Sequence, residues 1–315
     1  MRLLILALLG TIWGCSTIQK YSLRSTSGLF RDSNARMARE RDWEFFRASA
    51  PGNLKFMELL SLQDKDNLVL LATLAKGYAG YAFSVHETLF LEDSILGLEN
   101  SVNFKSAISL YTRSLDYGLV FLDKKGISKR DLLNLNDHEL KIKLGKKLSD
   151  RDLEGVLYLA QSWGSLINLQ KDNMSLVSQV PRVKILFDFV CKEDPKIDDG
   201  VCDLFFAQYE AARPKMLGGN PQLAKELYMD AMSRNPKNLL IRISYIQYLL
   251  LPAFESDLYE MESKILKQEF AEWDNLNRDS LEDHSSYRVN EDLNLYNAVA
   301  KKRFEIIEKN KAKIF

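Results

Sequence analysis

A charge of one sign is the first thing this 315-residue sequence lacks: Lys plus Arg and Asp plus Glu stand at 43 each, for a formal net charge of zero. No basic footprint for nucleic acid follows, and no acidic field for a cationic partner. Glycine and proline are also scarce, at 15 and 7, and they cluster between segments of 3.6-residue periodicity. Alternating strand patterns are hard to find, so a β architecture is excluded and a nearly all-helical protein is expected. Only three histidines are present, and His86, His138 and His284 stand far from one another and from any cysteine at metal-ligand spacing. No metal and no cofactor is implied.

Cysteine is equally rare, at Cys15, Cys191 and Cys202. The first belongs to "MRLLILALLGTIWGC", in which Arg2 precedes an apolar stretch too short to span a bilayer as a mature helix. Ile12-Trp13-Gly14-Cys15 resembles a bacterial lipobox, with Trp13 bulky for its place. The bland alternative is an ordinary secretory signal with an incidental cysteine. Lipid on Cys15 would hold the protein at a bilayer, each buried methylene contributing about 0.8 kcal/mol. Ser16 follows, with no Asp there to argue for inner-membrane retention, so the outer membrane, facing the periplasm, is favoured. The reading divides the chain into a signal at 1–14, a Ser/Thr-rich tether at 15–34 and a helical domain at 35–315. Cys191 and Cys202 sit among apolar neighbours at helical spacing, which favours buried free thiols; export also permits a disulfide.

The stretch "LAKGYAGYAF" at 74–83 carries Gly77 and Gly80, each costing about 1 kcal/mol relative to alanine in a helix. Laid over "LAQSWGSL" at 159–166, it shares Leu-Ala, an aromatic at the same offset and then a small residue. Both resemble the first helix of a tetratricopeptide (TPR) repeat, where small residues let a partner helix approach. The second helix of such a repeat wants small, aromatic and small residues at i, i+4 and i+7, which Ala224, Tyr228 and Ala231 supply between Asn220-Pro221 and Pro236. Weaker versions are Ala107-Tyr111-Ser114, Val183-Phe187-Val190 and Asn53-Met57-Leu60. The expected fold class is therefore all-α: a superhelical array of degenerate TPR-like helix pairs near 36–64, 68–121, 153–195 and 200–236. A half or full pair follows at 238–268 and a last helix near 290–311. Residues 85–101 read as an insertion, and 123–150 as a charged helical excursion.

In such an array the first helices line the concave side. The small or polar Lys76, Gly80, Tyr81, Gln161, Ser165 and Asn168 are accordingly the candidates for a ligand or partner groove. Tyr78, Tyr81, Phe83, Trp163, Tyr209, Tyr245 and Tyr248 fall at helical spacing and read as core more than as a ligand cage. Catalytic motifs fail one by one. The residue four after His86 is Phe90 rather than a second histidine; Gly218-Gly219 lacks the lysine of a phosphate loop; Ser165 has no Gly-x-Ser-x-Gly context.

The ordered segments "ERDWEFFRASAPGNLKFMELL", "LLATLAKGYAGYAF", "GVLYLAQSWGSLINLQKD", "VPRVKILFDFVCKEDP", "LGGNPQLAKELYMDAMSRNP" and "NLLIRISYIQYLL" resemble the TatT family, the T component associated with periplasmic TRAP transporters. The likeness covers about residues 35–311. It implies a non-catalytic, lipid-anchored periplasmic protein with four cryptic TPR-like repeats, a channel-like cavity and a trimeric assembly. It also implies association with a periplasmic solute-binding protein and a small apolar or carboxylated ligand. The absent proline in "LQDKDN" and the polar stretch 269–289 depart from the family pattern. The rival reading is a generic TPR-like envelope scaffold that binds extended peptides.

Overall fold

The computed structural model describes residues 28–29, 36–275 and 291–315, and among these no strand occurs. The expected signal at 1–14, Cys15 and most of the tether lie outside the described residues. Helix α1 spans Trp43–Ser61, α2 Leu68–Ile95, α3 Val102–Lys124, α4 Lys129–Asn134 and α5 Asp137–Lys147. Then come α6 at Leu153–Leu169, α7 at Val180–Glu193, α8 at Val201–Ala212 and α9 at Pro221–Arg234. The last three are α10 at Leu239–Leu250, α11 at Ser256–Asn275 and α12 at Asn294–Lys309.

Two sequence expectations change here. The stretch 36–64 holds one long helix, α1, with two helical residues at 36–37 separated from it by a turn. Pro51 lies inside it and, having no N–H, leaves the carbonyl of Arg47 without its helical donor. The Tyr81 hydroxyl fills that place, donating to the Arg47 oxygen at 3.3 Å. The supposed insertion at 85–101 is mostly helix as well. Between Gly80 and Gly97 the sequence has no glycine or proline, and Gly97, with a φ of +67°, ends α2 in the left-handed region. The α2 sequence is long and apolar enough to cross a membrane, yet 67% of its apolar window is buried inside the protein, as a core helix requires.

Small residues do permit close helix approach, but not all of those expected. Ala75 and Ala79 are fully buried, and the Ser114 hydroxyl of α3 reaches the Ala75 carbonyl of α2 at 2.7 Å. A Cβ on Gly118 would meet the Leu159 Cβ at 2.6 Å, and one on Gly155 would meet the Phe121 ring at 2.7 Å. A Cβ on Gly80 would meet nothing within 4 Å. Gly80 makes space instead of contact.

One apolar cluster joins α2, α3, α6 and α7 through residues such as Leu71, Tyr111, Leu159 and Phe187. A second joins α1 with α8 to α12 through Trp43, Tyr228, Ile243 and Phe304. The repeat-pattern residues Ala107, Tyr111, Ser114, Val183, Phe187, Val190, Ala224, Tyr228 and Ala231 are all buried. Packing runs from neighbour to neighbour: α1 on α2, α2 on α3, α3 on α6, α6 on α7, α7 on α8, α8 on α9 and α9 on α10, with α10 then taking both α11 and α12. Helix α12 packs back on α1 and on the second half of α2, so the chain of contacts returns to its start.

Cys191 and Cys202 form a disulfide, correcting the expectation of free thiols. The helical-spacing argument failed because the two residues belong to different helices, Cys191 in the last turn of α7 and Cys202 in the first turn of α8. The turn between them brings their Cα atoms to 5.7 Å.

Candidate functional site

Helices α2, α6, α8, α10 and α12 run in one direction around a common space. Near their starts, Lys76 of α2 meets Glu154 of α6, and the Asn238 amide preceding α10 donates to the Asp199 carbonyl preceding α8. Further along, Glu87 of α2 accepts the Tyr248 hydroxyl of α10 at 3.1 Å and lies 3.8 Å from Arg303 of α12. Inside is a cavity of about 680 Å³, within the range of ligand pockets. Lys76, Gly80, Tyr81, Gln161, Ser165 and Asn168, the six residues singled out from the sequence, all stand on its wall.

One end is built around Asp198. Asp198 and Asp199 (φ 49° each) and Gly200 (φ 103°) are three successive left-handed residues, in a turn clasped by the disulfide. For L-residues this conformation costs roughly 1–2 kcal/mol each, which Asp tolerates better than most. The turn aims the Asp198 carboxylate at the cavity, where it accepts the Tyr158 hydroxyl and lies 3.5 Å from the Lys76 ammonium. Lys76 also donates to Glu154 at 2.8 Å and sits 5.2 Å from the Tyr158 ring centre. Burial works against the Lys76 charge, but the Asp198 and Glu154 carboxylates outweigh it and hold its pKa above the ordinary value. Burial, then the Asp198 charge and hydrogen bond, raise the Tyr158 pKa, and Tyr296 of α12 bonds to the same tyrosine.

The other end is built around Glu87, only 7% exposed. It accepts hydroxyls from Tyr111 and Tyr248. Here α2 widens into a π segment at Ala82–Glu87, and α10 does the same at Ile246–Leu250. Such widenings redirect main-chain carbonyls and recur at functional sites. Arg303, fully buried, joins the two: it donates to the Phe83 carbonyl and the Gln247 side chain, both at 3.1 Å, and to the Thr88 hydroxyl at 3.0 Å. The Ser84 carbonyl takes the Trp43 indole N–H at 2.7 Å, tying α1 to the same segment. Lys171, just past α6, is pushed down in pKa by burial, against the opposing pull of the Glu87 charge.

Sequence reasoning missed Glu87, Tyr158, Asp198, Asp199, Lys171 and Tyr296. Tyr158 and Lys171 were findable, since they extend the Gln161, Ser165, Asn168 face at helical spacing. Asp198 depends on a left-handed turn and Tyr296 on chain closure, and neither leaves a local signal. Of the aromatics read as core, Tyr78, Trp163 and Tyr245 are buried, whereas Tyr81, Phe83, Tyr209 and Tyr248 line the cavity.

No group of three or more His, Cys, Asp or Glu arranged to hold a metal ion occurs among the described residues. Residues 39–315 match the family model described as TRAP transporter T-component. No curated protein matches the chain.

Proposed function

Because this chain belongs to the TRAP transporter T-component family, we propose that it is a non-catalytic periplasmic lipoprotein whose cavity receives or conducts solute from a periplasmic solute-binding protein. Membership makes it a component associated with a TRAP transporter of the bacterial envelope. In this reading lipid on Cys15 holds it to the membrane, the outer one favoured. The helices form a TPR-like superhelical array that scaffolds the partner, and the protein works as a homo-oligomer, with three copies implied by the family resemblance. The ligand is small and apolar or carboxylated.

The observation that carries the reading is the 680 Å³ cavity and the six residues on its wall that have small or polar side chains, Gly80 foremost. A scaffold without a ligand has no use for an unfilled interior, since leaving a core unpacked costs stability. The test is to capture the transporter's solute-binding protein on the full-length chain and to compare wild type with Gly80→Trp. Retained capture with lost solute uptake supports a conduit. Uptake unaffected by Gly80→Trp refutes the conduit, and absence of capture refutes the partnership. Cys15→Ser should release the protein from membranes, and its retention there would refute the anchor.

A further inference from the structure

We infer that the cavity takes an extended zwitterion, a short peptide with free termini, its ammonium facing Asp199, its carboxylate facing Lys171 and its apolar side chains between them. The inference rests on reading the cavity as a ligand site and is independent of which protein delivers the ligand. Its first basis is a census of charge. Arg39 pairs with Asp292 at 2.8 Å, Lys76 with Asp198 and Glu154, Glu87 with Arg303 and Arg213 with Glu210 at 2.7 Å. Among the described residues, the Lys171 ammonium and the Asp199 carboxylate are the ionisable groups on the wall that make neither ion pair nor hydrogen bond. Both are shifted toward neutrality, Lys171 downward by burial and Asp199 upward by burial and then by Asp198 and Asp292. Both keep contact with solvent and feel an opposite charge only from a distance, Lys171 that of Glu87 and Asp199 that of Lys76. A bound charge of opposite sign would be the direct partner that each lacks.

The second basis is their placement. Asp199 adjoins Asp198, which bonds Tyr158 early in α6, whereas Lys171 follows the end of α6 at Leu169. At 1.5 Å per helical residue the two stand about 15–20 Å apart, the reach of an extended peptide of roughly four to six residues. A single amino acid or a small diacid is too short to satisfy both. Third, the wall between them offers what a peptide needs. Phe46, Leu54, Val183, Leu204, Phe205 and Leu240 supply apolar surface. Gln161, Asn168 and Gln208 face the cavity as amides that make no hydrogen bond among the described residues. An amide offers one acceptor and two donors, the complement of a peptide main chain.

The experiment measures binding of an alternating alanine–leucine pentapeptide to the purified full-length chain by calorimetry, in four forms: free, N-acetylated, C-amidated and doubly blocked. The free form should bind, and each single block should weaken it by about tenfold or more, as loss of a charge-assisted contact does. Lys171→Gln should erase the difference between free and amidated peptide only, and Asp199→Asn the difference between free and acetylated peptide only. Asn tolerates the left-handed backbone at that position, so the turn should survive, and unchanged melting of both variants confirms it. Equal binding of free and blocked forms, no binding of the free form, or tight binding of decanoate that ignores Asp199→Asn would each overturn the inference. Peptide binding without capture of the solute-binding protein would refute the transport reading alone, and capture without peptide binding would refute the zwitterion alone.

Discussion

The two ends of the cavity use the same ingredients and hold them by different means. At one, a carboxylate, a cation and two tyrosines (Asp198, Lys76, Tyr158 and Tyr296) are fixed by a left-handed turn under a disulfide. At the other, Glu87, Arg303, Tyr111 and Tyr248 are fixed by two widened helices whose redirected carbonyl and side-chain acceptors are taken up by one arginine. The first end keeps contact with water, its Lys76 and Asp198 side chains 24% and 21% exposed; the second is nearly dry, with Arg303 at 0%. Where solvent screens the pair, a covalent clasp supplies the rigidity. Where solvent is absent, electrostatics and hydrogen bonding suffice.

Removing the cation should separate the ends most sharply. Arg303→Met strands Glu87 in a dry site and should cost about 3–5 kcal/mol of stability in denaturant unfolding. Adding Glu87→Gln should recover part of that loss, and full additivity of the two substitutions would mean that the buried pair is not the unit described. Next in size is the clasp: Cys191→Ser with Cys202→Ser should cost about 2–3 kcal/mol, the loop-closure contribution expected for so short a span. A loss near zero would assign the turn's rigidity to Asn238 and Lys76 instead. Lys76→Met comes third, at about 1–2 kcal/mol, because water partly compensates the carboxylates it leaves. If it proved as costly as Arg303→Met, the contrast between a wet and a dry end would collapse. The smallest effect belongs to Gly80→Ala, which adds a Cβ into open space and should stabilise by about 0.5–1 kcal/mol through helix propensity. Gly118→Ala, pressed against Leu159, should instead destabilise by about 1–3 kcal/mol, a difference of sign readable from melting temperatures.

Local pattern carried much of this architecture. The i, i+4, i+7 rows of α3, α7 and α9 were readable because each is a stripe facing a neighbouring helix, and Lys76 to Tyr81 and Gln161 to Asn168 were readable as the opposite face of α2 and α6. Where local pattern failed, geometry had been created by distant residues. The π segments keep helical composition, so "AFSVHE" and "IQYLL" look like ordinary helix or insertion until Arg303 and Trp43 arrive to satisfy their carbonyls. Asp198 and Asp199 drew no expectation at all, because a left-handed pair is invisible in residue type. Gly80 carries two expectations, close helix approach and room in a groove, because a missing side chain looks the same whether a helix or a void stands opposite; open space stands there.

The return of α12 onto the first helices sets an order of events for the growing chain. An open array of hairpins can consolidate from any starting point, each unit resting on the last. Here the Arg303 guanidinium must reach residues some 215 to 220 positions earlier in the chain, at Thr88 and Phe83. Such distant pairings form late, since a long loop must close before they gain anything. During synthesis the interior therefore lacks the wall that Leu295 and Tyr296 supply, and gains it only once the carboxyl-terminal segment has emerged.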